Sequence, residues 1–472
     1  MNSYSHFALV LTLLLFVQSA VAQSIVGDEP ALGPLENRIT QFDVANGELG
    51  LTEIRRAGLR IFATPFNHFD GFGDGPINPI DRTGPGGRPT LQNNGTFLRV
   101  NGLDSQSCLD CHGIVSAATV PVTTGVGGAG GINNSAVFRA RSIDVEDLAG
   151  NGFADMDGRL INPPALFGTG GVQLVAREMT QDLRVLREMA LARPGVEVAL
   201  WAKGVFFGTI IADATGTLDT SGVEGIDGDL IVRPFGRKGE FQSVRAFDLD
   251  ALNFHMGMQP VEIVGAHVDA DGDGVVNEIL PGEVSALEIF ITTQDSPRQE
   301  RRDANARLGA KLFESTGCAD CHIPALDSNS RVLSYAMPEI ATAPHDNVFY
   351  SVDLTDRPMR FRPAPGGGIR VPMFSDLKRH DMGADLAESL HGVSERRNRE
   401  FITAKLWGVA DTAPYLHDGR ALTLNAAILM HGGEAQHVRD SYAALSVADR
   451  NAILSFLGTL RNPISPNADV LE

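Results

Sequence analysis

Gly317-Cys318-Ala319-Asp320-Cys321-His322 and, earlier, Ser107-Cys108-Leu109-Asp110-Cys111-His112 decide how this chain folds. The two stretches hold all four cysteines. Disulfides are one reading of paired cysteines in an exported protein, and a zinc site is another. Zinc needs four converging ligands, and the two pairs stand far apart in sequence. The histidine after each pair decides between these readings. With 12 His in 472 residues, its arrival by chance behind both pairs is rare, whereas C-x-x-C-H is the attachment pattern of c-type haem. Two thiols two residues apart reach the two vinyl groups of one haem, and the next residue supplies the proximal imidazole. The sequence therefore predicts two covalent haem c groups, on Cys108, Cys111 and His112 and on Cys318, Cys321 and His322.

Working outward, the surroundings of the motifs repeat. Arg302 to Phe313 reads as a helix running almost directly into Gly317-Cys318, with Leu308, Leu312 and Phe313 on one side. Leu51 to Phe62 carries the same pattern: Gly58-x-x-Ile61-Phe62 matches Gly309-x-x-Leu312-Phe313. There a long stretch rich in Gly, Pro, Asn and Asp separates helix from motif. Val172 to Arg193 and Pro281 to Thr293 read as further helices, and residues 196–245 as a small β-rich insertion. Ser446 caps a last amphipathic helix to Leu460, with Ile453, Phe456, Leu457 and Leu460 as its apolar stripe. The expected fold is mainly α. It comprises two cytochrome-c-like haem domains, 23–295 and 296–472, the first with the long loop and the insertion.

The start reads as a secretory signal peptide, residues 1–22. Its apolar run from Phe7 to Val17 is too short to span a bilayer, and Ala20-Val21-Ala22 offers a cleavage site before Gln23. Its n-region has neither Lys nor Arg. No later stretch approaches transmembrane length, so no membrane insertion is expected and the location is the periplasm. The net charge of −19 argues against nucleic-acid and anionic-membrane partners. It permits a basic protein partner, or simply keeps an exported chain soluble.

The C-terminal half is more specific. Phe374 to His380-Asp381-Met382-Gly383, Leu406-Trp407-Gly408 through Thr412-Ala413-Pro414-Tyr415-Leu416-His417-Asp418-Gly419, and His431-Gly432-Gly433-Glu434-Ala435 resemble the di-haem oxidoreductase family. Its relatives include bacterial di-haem cytochrome c peroxidases and MauG-type enzymes. Asp157-Gly158-Arg159, Pro163-Pro164, Phe167-Gly168 and Gly257-Met258-Gln259-Pro260 extend the resemblance into the first half. It implies a six-coordinate C-terminal haem that takes electrons from a small soluble redox protein, and an N-terminal haem that reacts with peroxide. It also places the sixth ligand at His431, with Met430 as its rival and a plain helix-ending histidine as the alternative. A glutamate before a methionine serves the peroxidases as distal acid–base group, and Glu178-Met179 imitates it; the alternative is a solvated helix glutamate. His417 and His380 read as supporting histidines near the haem. The competing functions are a plain electron carrier and a MauG- or dioxygenase-like oxidation of a protein or polymer.

Asp269-x-Asp271-Gly272-Asp273-Gly274 followed by Asn277 resembles the start of an EF-hand loop, which predicts one calcium ion on Asp269, Asp271, Asp273 and Asn277. The twelfth position is Leu280, so Glu278 or Glu283 would have to complete the shell. Two Asp-Gly turns without an ion are the alternative.

Overall fold

The computed structural model describes residues 29–73, 105–115, 137–144, 155–388 and 393–471. The expected signal peptide and most of the long loop before Cys108 lie outside them. At the centre stands helix α4, Pro281–Thr292, buried from Gly282 onward on every side. Its run Val284-Ser285-Ala286-Leu287-Glu288-Ile289-Phe290-Ile291 has no polar face to offer solvent. Helix α1, Leu51–Ala63, crosses it at Gly58, where a Cβ would overlap the Ala286 carbonyl oxygen and lie 2.7 Å from its carbon. Helix α5, Ala304–Ser315, crosses helix α7, Val447–Leu457, in the same way at Gly309. A Cβ there would overlap the Ala452 carbonyl and sit 2.9 Å from Ile453 N. The two matched glycines of the sequence repeat are thus two matched crossings.

Between the repeats lie helix α2, Thr169–Leu191, and helix α3, Val244–Met256. The expected insertion forms a three-stranded antiparallel sheet: β3, Glu197–Ala202, then β4, Val205–Ala212, then β5, Leu218–Asp219. Its register pairs Val198 with Ile210 and Ile211 with Asp219. The Asp213 carboxylate accepts the amides of Thr215 and Thr217 and so closes the turn between β4 and β5.

The chain mixes helix and strand more evenly than expected. Strands also occur outside the insertion: β1, Val137–Asp144, with β2, Asp155–Ile161; β6, Val332–Ala336, with β7, Val348–Asp353; and β8, Arg379–Asp381, with β9, Glu400–Ile402. The larger hydrophobic core draws on both sides of the Gln294–Pro297 segment, from Ile54 and Phe290 to Tyr335, Met359 and Trp407. A smaller core, with Phe313, Phe374, Tyr442, Ile453 and Phe456, wraps the second motif. Arg55, fully buried on α1, binds Thr293, Asn467 and Asp469, tying the first helix to the C-terminal tail. Among the described residues no helix is long and apolar enough to cross a membrane.

Candidate haem sites

The second motif is built by α5 and its exit. Gly317 (φ 92°) turns the chain out of the helix, and Cys318–Asp320 form one 3-10 turn that presents His322. His322 Nδ1 hydrogen-bonds the Phe374 carbonyl at 3.1 Å. Across from it, His431 Nδ1 hydrogen-bonds the Ala427 carbonyl at 2.8 Å, at the end of helix α6, Leu424–Leu429. A carbonyl partner fixes the proton on Nδ1 and leaves the Nε2 lone pair for a metal. The ring centroids lie 6.5 Å apart. A metal–imidazole bond is about 2 Å long, so two rings on opposite sides of one metal hold their centroids roughly 6 Å apart. Burial lowers the pKa of both imidazoles, that of His322 to about 4. They are neutral, as ligands must be. Met430, the rival residue, is more than a third exposed.

The first motif repeats this arrangement. Cys108–Asp110 form a 3-10 turn, and His112 Nδ1 hydrogen-bonds the Pro164 carbonyl at 3.0 Å. Pro164 follows His112 by the same 52 residues that separate Phe374 from His322. Burial lowers His112 to about 4, with a smaller contribution from His255 near the end of α3. No disulfide joins any of the four cysteines. Burial raises Cys318 to about 11 and Cys108 further. The donor sets fit two c-type haems.

Three features near the first motif escaped the sequence reading. Asp248 on α3 is buried, bears electrostatically on Cys108, and has one carboxylate oxygen without a hydrogen-bond partner. Glu288 on α4 is buried, and Gln173 Nε2 donates to its Oε1 at 3.2 Å. Burial and the charge of Glu339 push its carboxyl up to about 7, against the opposing pull of Arg245. Asn162 joins the two halves: its Nδ2 donates to the carbonyls of Pro414 and Leu416, and its N–H to that of His417. It stands two residues before the carbonyl that holds His112. No periodicity marks these residues, because each works through a partner distant in sequence.

Glu178 needs a correction. Its Oε2 is 2.7 Å from Lys203 Nζ and accepts Asn329 N–H, while Oε1 accepts Ser330 N–H. Both oxygens are committed to anchoring α2, so this glutamate does not stand open beside a haem. Asn277 needs another. Its Oδ1 accepts His267 N–H and its Nδ2 meets His267 Nδ1, so both polar atoms of the side chain are engaged by His267. His417 stacks on Phe401 with centroids 4.3 Å apart. His380 bridges Asp376 and Glu434 beside Cys321. Both are supporting positions.

Residues 364–460 match the family described as "Di-haem oxidoreductase, putative peroxidase". The chain resembles the di-haem oxidoreductases. A cytochrome-c peroxidase of Pseudomonas sp. (strain SCT) is 30% identical over 159 residues, which cover 33% of this chain and 39% of that protein. The match thus spans well under half of the curated relative. Among solved structures, a MauG-like protein associated with microbial copper homeostasis is 15% identical, with a TM-score of 0.30, over 65% of this chain and 93% of its own. Hydrazine synthase of Kuenenia stuttgartiensis is 20% identical, with a TM-score of 0.23, over 38% of this chain and 55% of its own. The family match contains Phe374 and His431, the two residues that meet His322 of the second motif.

Proposed function

We propose that the protein is a periplasmic di-haem c-type oxidoreductase of the peroxidase type, with haems on Cys108, Cys111 and His112 and on Cys318, Cys321 and His322. The observation that carries this reading is the opposed pair His322 and His431, 6.5 Å between centroids, inside a segment that matches the di-haem oxidoreductases. His431 is the proposed sixth ligand of the second iron, and two imidazoles suit an electron-transfer site of lower potential than His/Met. A haem held there would supply the entry point for electrons from a small soluble redox protein, and the haem held by the first motif would receive them. The signal peptide at 1–22 and the division into 23–295 and 296–472 complete the proposal.

Haem supplies the redox-active iron at which peroxide is reduced to water. The protein's part is to position and to move protons. Pro164 and Phe374 orient the proximal imidazoles through Nδ1. Two-electron reduction of peroxide to two waters consumes two protons. Glu288 is the proposed group that exchanges them, since a carboxyl raised to about 7 trades protons near neutrality, and Asp248, pushed well up by burial and by the charge of Glu288, is proposed to hold one beside it. Asn162 keeps the two motif-bearing halves in register across the Pro414–His417 loop.

The test is spectroscopic. The purified protein should carry two covalent haems, one low-spin with two imidazoles, and the other should respond to peroxide in the half-reduced or reduced protein. Two low-spin haems inert to peroxide in every reduction state would overturn the peroxidase reading in favour of an electron carrier.

A further inference from the structure

The first motif is held in part by the far end of the chain. After α7 the backbone pairs Leu460 and Arg461 with Gln299 and Arg298, then ends in a short helix α8, Ala468–Leu471, against α1. Asn467, just before α8, is fully buried and has a left-handed backbone (φ 58°), which asparagine tolerates better than most residues. Its Oδ1 accepts Arg55 Nη2 at 3.0 Å, and its Nδ2 donates to the Ile114 carbonyl at 2.9 Å. The same nitrogen reaches Gln294 Oε1 at 3.4 Å, and the main-chain N–H donates to Asp295 Oδ2 at 3.0 Å. A guanidinium only donates and a carbonyl only accepts, so these partners fix which way the amide points. Arg55 completes the clasp on both oxygens of Asp469, at 2.8 and 3.0 Å, and on the Thr293 carbonyl.

The two motifs differ at this point. Beyond His322, the Ile323 carbonyl accepts Ser375 N–H at 3.1 Å, and Ser375 follows the Phe374 whose carbonyl holds His322. Imidazole and exit strand are thus anchored by one local segment. Ile114, two residues beyond His112, takes its anchor from 353 residues further on, in the tail that leaves the second motif's own core.

We propose that Asn467 is a positioning residue for the first haem: through the Ile114 carbonyl, the C-terminal tail sets how His112 presents its imidazole. Pro164 holds the ring at Nδ1, and Asn467 holds the backbone just past it. Groups that orient an axial imidazole tune the potential of its iron and the binding of a further ligand. Asn467 acts through the backbone of the motif and not on the reacting atoms. The inference rests on the di-haem reading, since the property it tunes belongs to a haem on Cys108 and Cys111.

The test uses the full haem-loaded protein. Asn467→Asp keeps the shape and the Arg55 contact but turns the Nδ2 donor into an oxygen facing the Ile114 carbonyl. Asn467→Gly suits the left-handed backbone and removes the amide outright. Both variants should carry two covalent haems by mass. The second haem is the internal control, and its low-spin spectrum and midpoint potential should match the parent's. At the first haem the EPR signature should shift, and affinity for added cyanide should change about threefold or more. Its reduced-to-oxidised ratio at the parent's midpoint should change by a similar factor. Hydrogen exchange should quicken over residues 112–115 and stay unchanged over 320–325. If one variant does not fold, the other decides alone. A first haem unchanged in signature, potential and cyanide affinity in a folded variant would overturn the proposal. Equal perturbation of both haems would overturn it too, because that marks a general loss of stability. A parent with fewer than two covalent haems would instead overturn the di-haem reading, and this inference with it.

Discussion

Gly309→Ala tests the crossing that holds the second motif in place. In an open helix this change would stabilise by about 1 kcal/mol, because alanine loses less backbone freedom on folding. Here the new Cβ would overlap the Ala452 carbonyl and lie 2.9 Å from Ile453 N, and real Cβ atoms essentially never come within 3.0 Å. Both obstacles are backbone atoms, so no side chain can rotate aside. The helices must separate, which loosens Phe313 from Phe456, now 5.4 Å apart between ring centroids. Forced overpacking costs about 1–3 kcal/mol, and backbone clashes fall at the upper end. The net expectation is a loss of about 2–3 kcal/mol, or roughly 4–12 °C in Tm for a cooperative unit of 150–250 residues. Thermal unfolding followed at the Soret band reports this unit directly. Gly366→Ala, with nothing within 4 Å of its Cβ, is the control and should stay within about 0.5 kcal/mol of the parent. A Gly309→Ala protein as stable as the parent would refute the close-crossing argument, and with it the structural meaning given to the matched Gly58.

Three further outcomes follow from single environments. His431→Gly should keep both covalent haems but turn the low-spin second haem high-spin or water-ligated, while Met430→Leu leaves the spectrum alone; the reverse pattern in visible and EPR spectra would move the ligand by one residue. Glu288 has a folded pKa raised to about 7, so its contribution to stability is complete at acid pH and declines as pH rises from about 4.5 to about 7. Glu288→Gln should accordingly gain in Tm relative to the parent between pH 5 and about 8, and a difference independent of pH would contradict this account. Glu178→Gln removes the partner of a Lys203 side chain that is 8% exposed and should cost about 3 kcal/mol in denaturant unfolding. Stopped-flow reaction with peroxide should be unchanged, and a large slowing would restore Glu178 as the proton-handling group.

What was legible in the sequence was local or repeated. C-x-x-C-H fixes the chemistry of its own five residues, and the glycine three before Ile61-Phe62 or Leu312-Phe313 announces a close crossing wherever the helix packs. The β-rich insertion showed through its alternation and its Asp-Gly turns. Strands β8 and β9 did not, because they run three residues each, too short for alternation to be read. Helix α3 was hidden by its mixed face: Phe247, Phe254 and His255 are spaced among Asp248 and Asp250. A glutamate before a methionine on a strongly periodic helix drew the acid–base role to Glu178, yet Lys203 and two amides on a distant loop neutralise that carboxylate.

The same contrast shows why buried carboxylates differ in use. Glu178 meets one cation and two N–H donors and is satisfied; Asp248, Glu278 and Glu288 each keep an oxygen without a hydrogen-bond partner. Evolution tolerates such groups at a cost of about 1–3 kcal/mol each when another species completes them. Pattern finds the motif, but the partners of each buried oxygen tell these roles apart.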